Sequence, residues 1–139
     1  MIIVIRIAGM VEIPDRIQSA LDHMRLRRKY SAIFLEENKE NLMLIQNVRN
    51  FVAFGQINKE NLMKLISLRG QPIDSKKKID VNHVIDSLGK KKLSELGLKP
   101  FFRLHPPRGG IESKKHYGVG KGVLGNNKEN INKLLERML

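Results

Sequence analysis

The densest group of chemistry-bearing residues is Phe101-Phe-Arg-Leu-His-Pro-Pro-Arg-Gly-Gly110. Arg103 and Arg108 present planar guanidinium forks that match phosphate oxygens. Pro106 and Pro107 stiffen the backbone and reduce the entropy lost on ordering. Gly109 and Gly110 allow close approach to another backbone. The run lies in an acid-poor stretch. From Leu96 to Lys128 the single carboxylate is Glu112, against Lys99, Arg103, Arg108, Lys114, Lys115, Lys121 and Lys128. His105 and His116 lie in the same stretch and could meet phosphate or stack on a base. Stiff, cationic and nearly free of acids, this segment suits a crevice in folded RNA. The candidate RNA-binding residues are Lys99, Arg103, His105, Arg108, Gly109, Gly110, Lys114, Lys115, His116 and Lys121.

Other chemistries are weakly represented. Gly120-Lys-Gly122-Val-Leu-Gly125 matches the letters of a dinucleotide-binding fingerprint. That motif needs a strand before it, a βαβ unit around it and an acid about 20 residues later. Lys114-Lys-His-Tyr117 is a poor strand, and the sequence ends at Leu139. Glycines among lysines also let backbone amides approach phosphates. His23, His83, His105 and His116 have no second ligand at helical spacing. Cysteine is absent, so no disulfide, thiolate zinc site or cysteine nucleophile exists. There is no G-x-S-x-G elbow and no H-E-x-x-H. No paired carboxylates suggest acid/base work. No cofactor and no metal site is expected.

The charge balance points the same way. The 139 residues carry a formal net charge of +12 and 41% hydrophobic residues, enough for a core. Like charges on a small folded body repel, so a polyanionic partner is expected. Residues 1–68 carry net +3, residues 69–121 net +8 and the remainder net +1. Lys76–Lys77–Lys78 and Lys90–Lys91–Lys92 read equally as solvated runs or as contacts. No apolar run approaches the roughly 18 residues of a membrane span, and no signal peptide is evident.

These residues must be positioned by a framework, which the apolar pattern outlines. Ile2, Ile3, Val4, Ile5 and Ile7 predict an interior strand. Ile13-Pro14-Asp15 opens a helix, with Ile17, Ala20, Leu21 and Met24 as its apolar stripe. Arg25, Arg27, Arg28 and Lys29 follow; they could complement the helix dipole or contact RNA. Strands are predicted at Ser31–Leu35 and Asn50–Ile57. Leu42, Ile45 and Val48 mark a helix between them, and Leu62, Leu65 and Ile66 another after them. Asp80 could cap a short helix carrying Val81, Val84, Ile85 and Leu88, stopped by Gly89, with a further turn at Leu93 and Leu96. A last helix carries Ile131, Leu134, Leu135 and Met138. Asn-Lys-Glu-Asn occurs at Asn38–Asn41, Asn58–Asn61 and Asn127–Asn130, each reading as a helix start capped by asparagine. Phe101 and Phe102 are expected to anchor the basic loop to the core.

The string Leu98-Lys-Pro-Phe-Phe-Arg-Leu-His-Pro-Pro-Arg-Gly-Gly110, followed by Gly118-Val-Gly-Lys-Gly122, strongly resembles the archaeal form of the large-subunit ribosomal protein L-thirty family, whose eukaryotic counterpart is L-seven. The resemblance covers essentially the whole chain, including Leu68-Arg-Gly70. It implies a small α/β sandwich with an antiparallel sheet. It also implies binding to large-subunit rRNA, help in holding 5S rRNA on the subunit, neighbouring ribosomal proteins and a cytoplasmic, ribosomal location.

The resulting expectation is an α+β protein and a non-catalytic constituent of the large subunit. A two-layer β-α-β-α-β sandwich with antiparallel sheet, a ferredoxin-like relative, spans residues 1–57. A helical extension spans 58–139, with a basic RNA-binding loop at 98–125, all in one domain and monomeric within the subunit. Ile5, Ile17, Leu21, Phe34 and Val52 are expected to meet between sheet and helices. Arg103–Gly125, rich in glycine and cations, is expected to take its order from RNA. The alternatives are an RNA-binding module or RNA chaperone outside the ribosome, and a small nucleotide-binding enzyme using Gly120–Gly125.

Overall fold

The computed structural model describes residues 2–7, 14–35, 38–70, 81–87, 98–99, 101–108, 113–116 and 122–138. Strand β1 (Ile2–Arg6) is buried along its whole length. The two-residue period of a strand sends Ile2 and Val4 to one face and Ile3, Ile5 and the following Ile7 to the other. β2 (Ser31–Leu35) and β3 (Val52–Gln56) flank it, both antiparallel, with Val4 opposite Ile33 and Phe54. β3 is shorter than the expected 50–57.

Helix α1 (Asp15–His23) joins β1 to β2, and α2 (Lys39–Asn47) joins β2 to β3. Ile17, Leu21 and Met24 pack with Ile45 and Val48 on Ile2, Val4, Ile33, Val52 and Phe54. This is the expected two-layer sandwich of the first 57 residues. The extension then covers the opposite face. α3 (Lys59–Arg69), α4 (Val81–Ser87) and α5 (Ile131–Met138) bring Leu65, Ile66, Val84, Ile131, Leu134 and Leu135 against Ile3, Ile5, Ile7 and Ala53.

Burial on both sides explains why β1 is apolar at nearly every position. It also corrects the expectation of one meeting point for five core residues. Ile5 and Phe34 lie in the core under α3 to α5, whereas Ile17, Leu21 and Val52 lie in the core between the sheet and the α1–α2 layer. Strand alternation separates them.

The region read as a loop contains strands. β4 (Phe102–Arg103), β5 (Ser113–His116) and β6 (Gly122–Asn126) give a sheet ordered β4-β2-β1-β3-β6-β5. β4 is antiparallel to β2, while β6 runs parallel to β3 and β5 parallel to β6. Ser-Lys-Lys-His lacks apolar alternation, yet it pairs through its backbone at the sheet edge, where lysines are tolerated and discourage further pairing. β6 also removes the basis of the nucleotide-binding alternative. Gly122 and Gly125 lie in a strand, not in a turn that opens a helix. Gly120 and Lys121 lie outside the described residues. So do Leu88, Gly89, Leu93, Leu96 and the Lys76–Lys78 and Lys90–Lys92 runs.

Two of the three Asn-Lys-Glu-Asn copies start helices as expected. The Asn38 and Asn58 side chains accept from the Asn41 and Asn61 amides, each at 2.8 Å. The third copy differs. Asn127 is buried, and its side chain donates to the Gly125 carbonyl at 3.1 Å. A 3-10 turn over Lys128–Asn130 follows it before α5. Asn127 leaves a strand in a helical backbone conformation rather than an extended one, so its side chain points away from the amides it would cap.

Candidate nucleic-acid interface

Edge strand β4 presents its side chains to alternate faces. Phe102 enters the core and meets the Phe34 ring edge-on at a centroid distance of 5.2 Å. Phe101 packs on the α1 and α2 side, and the exposed Arg103 guanidinium lies 5.4 Å from its ring centre. The expected anchoring by both phenylalanines therefore holds, one to each core. Arg103 is oriented by a ring that is itself seated.

The arginines after α1 approach the same place. α1 ends in a Schellman motif. The Leu26 amide donates to the Leu21 carbonyl at 2.9 Å, and the Arg25 amide to Asp22 at 3.0 Å. Leu21 and Leu26, both buried, supply its usual apolar contact. Arg25 takes the left-handed position at φ 65°, where glycine is usual. Only Arg25 adjoins the helix end. Arg27, Arg28 and Lys29 lie beyond it, so the helix dipole does not account for them.

Arg25, Arg27, Arg28 and Ser31 from this connection line a cleft of about 80 Å³ with Phe101 and Arg103. All four arginines are exposed. No carboxylate is among the described residues that line it. β4 pairing places Arg103 directly opposite Ser31, which closes the distance between segments over 70 residues apart in sequence.

Sequence reading missed the residue that fixes this connection. Arg6 sits in the central strand, 1% exposed, and its guanidinium donates to the Leu26 carbonyl at 2.6 Å. The Arg6 carbonyl in turn accepts from the Tyr30 amide at 2.7 Å. Burial lowers the Arg6 pKa from its ordinary value, and the Asp22 carboxylate opposes that shift. The signal was present as one cation inside Ile-Ile-Val-Ile-Arg-Ile.

The other candidates fall elsewhere. Lys99, His105 and Arg108 are exposed. The His105 amide donates to the Met138 carbonyl at 3.0 Å and the Arg108 amide to Arg137 at 2.9 Å. Arg137 Nε returns a bond to the Arg108 carbonyl at 2.9 Å. Together with the Leu104 amide on the Tyr30 carbonyl at 2.8 Å, these bonds fasten residues 104–108 to the body of the protein. Arg103 joins the cleft, whereas His105 and Arg108 lie beside the end of α5, fastened by their backbone amides. Lys114, Lys115 and His116 lie on β5, and their side chains lie outside what the structure describes, as do Gly109, Gly110 and Lys121.

Among the described residues, no three or more His, Asp or Glu side chains gather to hold a metal ion. Among the same residues, no helix is long and apolar enough to cross a membrane.

No family model matches the chain. Individual relatives do. The large ribosomal subunit protein uL30 of Archaeoglobus fulgidus is 34% identical over 99% of both chains. That of Pyrobaculum aerophilum is 36% identical over 98% of this chain and 92% of its own. That of Methanococcus vannielii is 33% identical over 98% and 97%. Similarity at this level over nearly every residue, on the α+β frame expected of the resemblance, shows that the chain belongs to the uL30 family.

Proposed function

We propose that the protein is a structural, non-catalytic constituent of the large subunit of the cytoplasmic ribosome. It binds large-subunit rRNA and helps to hold 5S rRNA, among neighbouring ribosomal proteins. Similarity over nearly the full length to relatives named as large ribosomal subunit proteins carries this reading. The net charge of +12 supplies the attraction.

In this reading residues 1–57 and 58–139 act as one domain, and the chain enters the subunit as a monomer. Lys99, Arg103, His105, Arg108, Gly109, Gly110, Lys114, Lys115, His116 and Lys121 provide the RNA contacts. Phosphates and 2′-hydroxyls are the main targets, because side chains read the deep groove of A-form RNA poorly.

Sedimentation of a lysate after a moderate-salt wash tests the assignment. The protein is expected to travel with large subunits. Migration as free protein would overturn it. Crosslinks from the protein to 5S rRNA test the finer statement, and crosslinks confined to other RNA would remove it.

A further inference from the structure

We infer that the cleft between the α1–β2 connection and β4 is a binding site for a single RNA phosphate, and not for a base. This rests on the reading that the chain binds large-subunit RNA, and it names the group that one part of the surface recognises.

Four observations converge. Arg25, Arg27, Arg28 and Arg103 line one small space, with no carboxylate among its described lining residues. Gathering like charges is unfavourable, and a bound anion relieves it. The space is small, about 80 Å³, and suits a compact group such as a tetrahedral oxyanion. A base is disfavoured on the Phe101 ring, because it would have to displace the Arg103 guanidinium, 5.4 Å from the ring centre. Finally, the connection is built to hold its shape: Arg6 grips the Leu26 carbonyl from inside the sheet, and Arg25 is kept in a left-handed conformation.

The larger surface hollow, about 480 Å³ beside Phe54, Gly55 and Gln56, is less suited to a polyanion. Its lining holds one cation, Lys128, beside one acid, Glu129. The α1–β2 cleft has four arginines and no acid among its described lining residues.

A shared phosphate makes a distinctive prediction. Each phosphate neutralised on a single strand contributes about 0.7 to the log–log salt slope. The probes are oligo(U) and oligo(A) RNAs of equal length, bound to the full chain. Arg103→Ala and Arg27→Ala combined should flatten the slope by no more than about 0.7 with both probes, because the two arginines share one phosphate, which is counted once. Additive flattening would mean independent surface charges and would overturn the site. An effect confined to one homopolymer would mean base recognition and would overturn it equally. Both side chains are exposed, so folding is retained and is checked by circular dichroism.

Sedimentation separates the two failures. If Arg103→Ala with Arg27→Ala still travels with large subunits while the slopes behave additively, the cleft assignment falls and the ribosomal reading stands. If the unaltered chain fails to join large subunits but the slopes behave as a shared site, the ribosomal reading falls and the phosphate site stands.

Discussion

Arg25 occupies a backbone position that glycine fills at lower cost. A left-handed conformation costs a residue with a Cβ roughly 1–2 kcal/mol. Glycine has its own cost, because it adds about 0.4–1 kcal/mol of unfolded-state freedom. Strain relief wins by a small margin. Arg25→Gly should therefore raise stability to urea by about 0.5–1 kcal/mol. The same change removes a guanidinium from the arginine-lined cleft and should weaken RNA binding. A stability gain paired with a binding loss separates a residue kept for its side chain from one kept for its fold. If Arg25→Gly lowers stability, the left-handed geometry is not strained. Arg6 differs in kind. At 1% exposure it cannot meet RNA, and its side chain instead holds the Leu26 carbonyl.

Among the elements, the three Asn-Lys-Glu-Asn copies allow a comparison within one chain. Aspartate caps a helix as well as asparagine does, but it cannot donate. Asn38→Asp and Asn58→Asp should leave urea midpoints nearly unchanged, because both side chains accept. Asn127→Asp should cost about 1–3 kcal/mol, since a buried carboxylate would face the Gly125 carbonyl. Equal behaviour of all three would mean that the third copy caps its helix after all. A second element-scale test is Gly55→Ala. An added Cβ would run into the Lys128 carbonyl and lie 2.9 Å from Ile131. The 3-10 turn and α5 would have to move off β3, a cost of about 1–3 kcal/mol in urea unfolding. A neutral result would show that this junction yields easily.

These elements also show what the sequence could convey. Apolar periodicity in Ile2–Ile5, in Ile17, Leu21 and Met24, and in Leu65 and Ile66 reports burial directly, so β1, α1 and α3 were legible. β5 was not, because Ser-Lys-Lys-His pairs by backbone bonds that leave no side-chain signature. Nor does spacing reveal that Arg103 meets Arg25, Arg27 and Arg28. That juxtaposition depends on β4 pairing with β2, a long-range register that two residues cannot advertise. Of the ten proposed contact residues, Lys99, Arg103, His105 and Arg108 have described side chains, and all four are exposed.

For the whole molecule, the question is whether +12 acts as a diffuse charge or through particular places. Arg103 lies in the cleft, whereas Arg108 lies beside the end of α5. They should meet different phosphates. Each contact changes the log–log salt slope by about 0.7 on single strands and about 0.9 on a duplex, so replacing both with alanine should flatten it by roughly 1–2. Stability should barely change. Both side chains are exposed, and the bonds that fasten residues 104–108 come from the backbone, which alanine keeps. The Arg103 stacking on Phe101 is worth only about 0.5–1 kcal/mol at an exposed site. The control replaces Lys39 and Lys59, the first residues of α2 and α3, which remove the same charge elsewhere. A diffuse field responds to net charge alone and would give equal slopes for the two pairs. Particular contacts would leave the lysine pair close to the unaltered protein and shift only the arginine pair. If the control flattens the slope as much, the arginines are not privileged, and charge spread over the whole surface accounts for binding.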